Sequence, residues 1–331
     1  MKTLVYGKDF HNGHFQGTHT ISTDQKGNRA SSNINYEKKS KDTLRIFAIG
    51  ASTTEQAGMS DELIWSNKLI ERLKIKKKKI FKSYESINFG VSGLRAIHSY
   101  FTLIRNLNSD PDLVIFLLGV NDWNHHIVNK NLNYILPDYE INYNFKNSFI
   151  HKFFFQFTKV IKKKFNYNEK IIVKNKINKF KGNDYEVFIK KQIYKKKNVE
   201  KIINFRPKTV SYEYNFWITK IMKVCKKEKI NCLFADQPSL YKEENKLYRS
   251  VFWVNPPFKN YSLNFDDHVI LARKYNDYLK DVVNSNDQIF CELSNNIAPS
   301  EKYFVDDFHF TPSGSTIVGN YMYKCIEKII K

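Results

Sequence analysis

The fold is decided by residues 44–54, which read LRIFAIGASTT. The first six of these residues form a mostly apolar run, and the small residues Gly50, Ala51 and Ser52 follow it. A short apolar run that stops at small residues predicts a buried strand ending in a tight turn. A helical pattern begins soon afterwards, so the sequence predicts a strand, a turn and a helix, with the Ser52 hydroxyl presented where the strand ends.

The same alternation of apolar runs and amphipathic stretches continues along the chain. Predicted strands cover residues 44–49, 86–89, 113–118, 230–235 and 288–293. Predicted helices cover residues 61–74, 97–107, 211–227, 267–283 and 313–330. Strands that alternate with helices are typical of a parallel sheet covered on both faces, so we expect an α/β fold, a three-layer α/β/α sandwich.

Three segments of the chain differ in character. Residues 1–43 are polar and lack a sustained period, which predicts an irregular N-terminal extension with room for a short hairpin. Residues 44–331 carry the alternating pattern and form the predicted domain. Roughly ninety residues separate its third strand from the next helix, far more than an ordinary connection, so an insertion is expected at about residues 125–210.

The chain of 331 residues has a net charge of +21, and the insertion holds much of it. Residues 128–208 contain 20 Lys and Arg against six Asp and Glu. Only eight of the 54 basic residues are Arg, the side chain that binds phosphate through a bidentate fork. We therefore expect no specific nucleic-acid partner. The partner expected is a small-molecule, glycan or lipid substrate, and the oligomeric state stays open.

Residues 149–165 of the insertion place Phe, Val and Ile at spacings of three and four among Lys residues, which predicts an amphipathic basic helix. One interpretation is a helix that packs its apolar side onto the domain. The alternative is a helix that makes peripheral contact with an anionic membrane. Vesicle binding that weakens with salt would distinguish the second from the first.

The cysteines, the histidines and the lengths of the apolar runs bear on cofactors and on cellular location. The four cysteines lack metal-ligand spacing and are expected to be reduced and mostly buried. His11, His14 and His19 are expected at the surface, so neither a metal nor a cofactor is predicted. No apolar run reaches membrane-spanning length, and the start lacks a signal-like apolar run, so we expect a cytoplasmic protein.

Residues able to carry chemistry, through a side chain or a backbone N–H, follow four of the predicted strands. They are Ser52 after the first strand, Gly90 in NFGVSG, Asn121 in GVND, and Asp306 and His309 in DDFH. Taken singly, each has an ordinary structural interpretation as a helix cap or a turn residue. Because the carboxyl ends of parallel strands meet at one edge of the sheet, their ordered occurrence indicates a single site.

In this order, the motifs resemble those of the SGNH, or GDSL-like, hydrolase superfamily of esterases and lipases. Its nucleophile block reads Gly-Asp-Ser, and here Gly50-Ala51-Ser52 has Ala in place of Asp. The resemblance implies a flavodoxin-like five-stranded parallel sheet of order 2-1-3-4-5. It implies catalytic roles for Ser52, Asp306 and His309. It implies an oxyanion hole formed by Ser52, Gly90 and Asn121.

The chemistry of these residue types agrees with the resemblance. A serine hydroxyl is a weak nucleophile until a base such as His309 removes its proton, and Asp306 would orient that base. The expected function is a serine esterase that hydrolyses an acyl or acetyl ester of a sugar or lipid through an acyl-enzyme. Two alternatives stay open: an acyl or acetyl transferase on a glycan with the same residues, and a non-catalytic binding protein on the same fold.

Overall fold

A computed structural model describes residues 2–6, 15–31, 34–76, 80–128, 201–245 and 261–330 of the chain. Its strands are β1 (Lys2–Tyr6), β2 (Gly17–Ile21), β3 (Arg29–Ala30), β4 (Thr43–Gly50), β5 (Ser83–Asn88), β6 (Leu113–Leu117), β7 (Lys201–Ile203), β8 (Asn231–Ala235), β9 (Tyr261–Leu263) and β10 (Ile289–Cys291). Its α-helices are α1 (Ser52–Glu55), α2 (Trp65–Lys76), α3 (Ala96–Asn106), α4 (Val120–Val128), α5 (Tyr212–Glu228), α6 (Phe265–Asn284) and α7 (Pro312–Ile326).

The central sheet has the order β10-β8-β6-β4-β5-β3. Its first five members in this order are parallel. Counted along the chain as strands one to five and read from β5 to β10, they stand 2-1-3-4-5, the order that the resemblance implies. Strand β3 adds a sixth, antiparallel member beside β5, so the sheet is mixed rather than purely parallel. The α/β class predicted from the alternating pattern is confirmed.

The core is built around β4, whose eight residues are all buried. A strand covered on both faces reads as a continuous apolar run, which explains the sequence of residues 44–49. Helix α2 packs against α7, and α3 packs against α5. The one charged member of β4, Arg45, is buried with its guanidinium on Glu85 and on the carbonyls of Ser109 and Asn35, which satisfies the buried charge.

The N-terminal extension is more ordered than predicted. Strands β1 and β2 form an antiparallel pair, and β3 joins the central sheet. The β1–β2 pair fits the short hairpin that the sequence prediction allowed, whereas β3 was not predicted, and the extent of the extension over residues 1–43 stays a prediction. Strands β2 and β3 contain one apolar residue each, Ile21 and Ala30, so hydrophobic periodicity does not detect them.

The expectation of reduced cysteines is wrong. Cys225 at the end of α5 is bonded to Cys232 in β8, and Cys291 in β10 is bonded to Cys325 in α7. Each pair joins a helix to the strand it lies beside, and this proximity is not visible in the spacing of the four residues along the chain. Disulfides are uncommon in the reducing cytosol, so the cytoplasmic location stays a prediction from the sequence alone.

Two further findings concern the middle of the chain. Residues 123–127, which no predicted helix includes, belong to helix α4. Most of the insertion, with the predicted helix at 149–165, lies outside the described residues. Among the helices that the structure describes, none is long and apolar enough to cross a membrane.

Candidate active site

Ser52 is the first residue of α1, and only Ala51 separates it from the end of β4. The turn between them is tight enough to exclude any side chain at Gly50. A Cβ atom there would lie 2.2 Å from Thr54 Oγ1 and 2.7 Å from the carbonyl oxygen of Leu117. The glycine of the predicted turn therefore allows α1 to start directly against the sheet, which places Ser52 at the sheet edge.

Helix α1 has only four residues, and surrounding groups satisfy all four of its carbonyls. The Ser52 carbonyl accepts the backbone N–H of Gln56 at 2.9 Å. The other three accept side-chain donors: Thr53 from Trp65 Nε1 at 3.2 Å, Thr54 from Asn88 Nδ2 at 2.6 Å, and Glu55 from Arg29 Nη1 at 2.9 Å. Helices this short are unstable alone, so these donors fix the backbone that carries Ser52.

Arg29 of β3 makes several of the contacts that hold α1 and the turn after it. Besides the Glu55 carbonyl, its guanidinium donates to the carbonyls of Gln56 and Met59 and pairs with Asp61 at 2.8 Å. The side chain is only 7% exposed. A residue of the N-terminal extension thus holds the turn that leaves α1.

Arg29→Met is expected to destabilise the fold by about 3–5 kcal/mol, because it removes the buried cation that pairs with Asp61 and donates to three carbonyls. Thermal unfolding measures the loss. Arg72→Met, which removes an exposed arginine of α2, is the matched control and should shift Tm little. Equal Tm values for the two variants would contradict the role assigned to Arg29.

His309 links Ser52 to Asp306. Its Nε2 lies 2.7 Å from Ser52 Oγ, and its Nδ1 lies 2.8 Å from Asp306 Oδ2. A carboxylate can only accept, so Nδ1 carries the ring proton and Nε2 accepts the Ser52 hydroxyl. Asp306 Oδ1 accepts the backbone N–H groups of Phe308 and His309 at 3.1 and 2.8 Å. The three predicted side chains therefore meet in one hydrogen-bonded series.

Asp306 and His309 each favour the charged form of the other. Burial opposes the charged form of Asp306, but the nearby His309 and the hydrogen bonds that Asp306 accepts outweigh it and lower its pKa to about 2. For His309, burial again opposes the charged form, and the Asp306 carboxylate outweighs it and raises the pKa above the usual 6.5. The imidazole is thus a stronger base than a free histidine.

The neighbouring Asp307 is held apart from this series. Its Oδ2 accepts the Tyr241 hydroxyl, its side chain is buried, and its carbonyl accepts the Leu240 N–H at 2.7 Å. The loop that carries His309 is therefore anchored to the segment after β8. Of the two adjacent carboxylates, Asp306 contacts His309, as the Asp-x-x-His spacing predicts.

Gly90 lies directly against α1. A Cβ atom at this position would be 2.2 Å from the Glu55 nitrogen, so no other residue fits. Its own N–H donates to Asn88 Oδ1 at 2.8 Å. The structure thus gives Gly90 a packing role beside Ser52, and its predicted role as an oxyanion donor stays a prediction.

Asn121 is the second residue of α4 and donates from Nδ2 to the Leu94 carbonyl at 2.9 Å. The next residue, Asp122, accepts the Ala96 N–H with both carboxylate oxygens. Burial raises the pKa of Asp122 to about 7. These two contacts fix the start of α4 against the start of α3, and one proton of the Asn121 amide is used in doing so.

A cavity of about 250 Å³ opens beside Ser52 and His309. Its apolar walls are the side chains of Phe15, Ala57, Met59, Val305 and Phe310. Gln56, Gly58 and Ser92 complete the lining. The Ser52 and His309 side chains thus border a small space with mostly apolar surroundings.

The family model for GDSL-like lipases and acylhydrolases matches residues 46–322, a span that includes all five predicted site residues. The chain belongs to this family. As a GDSL-like acylhydrolase it is a hydrolase that acts on ester bonds. A search of curated protein sequences finds no match.

Solved structures of GDSL-like enzymes resemble this acylhydrolase distantly. An acetyl xylan esterase is 15% identical with a TM-score of 0.46, over 86% of this chain and 100% of the other. A GDSL-like lipase from Bacteroides thetaiotaomicron is 13% identical with a TM-score of 0.45, over 88% and 92%. A variant acetyl xylan esterase from Geobacillus stearothermophilus is 10% identical with a TM-score of 0.45, over 86% and 94%.

Sequence reasoning missed the residues that support the site of this GDSL-like acylhydrolase. Trp65 gives no signal, because an apolar residue at the start of a helix is ordinary core. Arg29 stands in a polar segment without a sustained period, so hydrophobic periodicity gives no signal for it. His19, expected at the surface, is buried; His11 and His14 lie outside the described residues.

Proposed function

We propose that this GDSL-like acylhydrolase is a serine esterase that cleaves a carboxylic ester, an acyl or acetyl ester of a sugar or lipid, through an acyl-enzyme. The observation that supports this most directly is the hydrogen-bonded series from Ser52 through His309 to Asp306. A hydroxyl, a base and an orienting carboxylate in this order are the parts that nucleophilic ester cleavage needs.

In the first step, Ser52 Oγ attacks the ester carbonyl carbon while His309 Nε2 takes the hydroxyl proton. The imidazolium formed is stabilised by Asp306, and the raised pKa of His309 reflects the same interaction. The tetrahedral intermediate then collapses, the bond to the alcohol oxygen breaks, and His309 returns the proton to that oxygen. The alcohol leaves and the acyl group remains on Ser52.

In the second step, water takes the place of the serine. His309 removes a proton from the water as its oxygen attacks the acyl carbon, and the proton passes to Ser52 Oγ as the acyl bond breaks. The products are the carboxylic acid and free enzyme. A transferase would use a glycan hydroxyl in place of this water, so hydrolysis and transfer share every residue named.

The negative charge on the carbonyl oxygen needs donors. The N–H of Ser52 stands at the first position of α1, where no intrahelical acceptor exists. The Asn121 amide retains a second proton beyond the one given to Leu94. Gly90 N–H would have to leave Asn88 Oδ1 first, so we assign the main donor roles to Ser52 and Asn121.

Asn121→Ala is expected to lower kcat by about 10²–10³ with little change in KM, since the amide acts on charge present only in the transition state. Steady-state kinetics on a nitrophenyl ester measure this. Asn124→Ala, one turn along α4, is the matched control. A rise in KM at constant kcat would instead make Asn121 a substrate-positioning residue.

Two experiments test the proposal as a whole. Incubation with a fluorophosphonate probe and mass spectrometry of the modified peptide should place the label on Ser52. Turnover of nitrophenyl esters, with and without a sugar acceptor, separates hydrolysis from transfer by the product formed. A chain that neither labels at Ser52 nor turns over any ester would be the non-catalytic binding protein kept as the alternative.

A further inference from the structure

The N-terminal extension forms one wall of the cavity at Ser52. Phe15 lies in that wall together with Met59, Val305 and Phe310. The ring is only 6% exposed although it belongs to a polar segment outside the predicted domain. Part of the substrate site therefore comes from residues that the catalytic motifs do not include.

His19 holds this wall in place. One ring nitrogen, Nε2, lies 3.0 Å from the Phe15 carbonyl oxygen, and the other, Nδ1, accepts the Ser60 N–H at 3.0 Å. A carbonyl only accepts and a backbone N–H only donates, so the ring is neutral with its proton on Nε2. The imidazole is 4% exposed and couples the extension directly to the loop after α1.

Further contacts fasten the same strand to the same loop. The Thr20 N–H donates to Ser60 Oγ at 3.2 Å, and the Ser22 N–H donates to Asp61 Oδ2 at 2.8 Å. Asp61 is in turn the partner of Arg29. This loop also supplies Met59 to the cavity. The contacts between strand and loop therefore fix the positions of Phe15 and Met59 relative to each other.

We propose that Phe15 sets the length of acyl chain that the enzyme accepts and restricts it to short groups such as acetyl and butyryl. This inference rests on the proposed function. An apolar lining favours a hydrocarbon chain, and each methylene gains burial until the chain meets the aromatic wall. The cavity of about 250 Å³ is smaller than the ~300–1,000 Å³ of sites that enclose drug-sized ligands. A longer chain would have to displace the ring and the contacts of His19.

The test compares kcat/KM for nitrophenyl acetate, butyrate and octanoate. Phe15→Ala should raise the octanoate-to-acetate ratio by about tenfold or more, and Phe15→Trp should lower the butyrate-to-acetate ratio. Because both kcat/KM values scale with the same concentration of folded enzyme, their ratio does not depend on the fraction of a variant that is folded. Ile34→Ala is the matched control: Ile34 lies in the same extension with the same 6% exposure and is not among the residues that line this cavity. Its ratios should equal those of the wild type.

A second series keeps the acetyl group and varies the alcohol among nitrophenyl, naphthyl and methylumbelliferyl acetates. Unchanged acyl ratios in both Phe15 variants would overturn the inference while leaving the esterase intact. A shift confined to the alcohol series would overturn it as well, by assigning the cavity to the leaving group. Absence of turnover and of Ser52 labelling in the wild type would instead contradict the proposed function itself.

Discussion

Ser52→Ala is expected to lower kcat by roughly 10⁴–10⁶, to the level supported by binding and oxyanion donors alone. No other hydroxyl in the described part of the chain lies at hydrogen-bond distance from His309 Nε2, so no neighbouring group takes over the attack. Nitrophenyl ester hydrolysis measures the loss, and a fluorophosphonate probe should no longer label the variant.

The fold should survive this change. The Ser52 hydroxyl contacts only His309 among the bonds described, whereas the backbone of α1 is held by Trp65, Asn88 and Arg29. Tm is therefore expected to stay within a few degrees of the wild type, a shift on the scale of about 1 kcal/mol. Ser239→Ala, at a buried serine after β8, serves as the matched control and should keep normal turnover. Retention of more than about 1% of activity by Ser52→Ala would rule out the nucleophile.

The side chains that we propose as catalytic could be picked out in the sequence because each directly follows an apolar run or belongs to a short motif with fixed spacing. The parallel strands were predictable for the same reason, since burial on both faces makes β4 and β6 continuous apolar runs. For these strands, the residues of the segment itself show how it is buried in the fold.

The supporting residues could not be predicted, because their partners are distant in sequence. Arg29, His19 and Phe15 stand in a polar segment without periodicity, and what they do depends on the loop at residues 55–61. The cysteine pairs depend in the same way on which helix lies beside which strand. Helix α4 was not among the predicted helices because its first turn contains Asn and Asp, residues that also favour turns.

Asp306→Asn is expected to lower kcat by about 10⁴, and the contacts of the carboxylate give the reason. Oδ1 accepts two backbone N–H groups, whereas Oδ2 faces Nδ1 of His309. The single amide oxygen of Asn is favoured at the position that accepts two donors, which turns the NH₂ group toward Nδ1. That nitrogen must then accept, so the ring proton moves to Nε2, where it blocks proton transfer from Ser52.

The pH profile distinguishes this mechanism from a simple loss of structure. Only neutral imidazole can accept the serine proton, so wild-type activity should rise with pH through the raised pKa of His309, at a midpoint above 6.5. Asp306→Asn removes the main cause of that raised pKa and leaves burial, which lowers it, so the residual activity should have its acid limb at lower pH. Asp307→Asn is the matched control. The amide oxygen of Asn can still accept the Tyr241 hydroxyl, and the charge of Asp307 influences the pKa of His309 less than that of Asp306. In this variant kcat should stay within about tenfold of the wild type, and the acid limb of the pH profile should move little. The reverse ranking of the two variants would show that Asp307, not Asp306, orients the base.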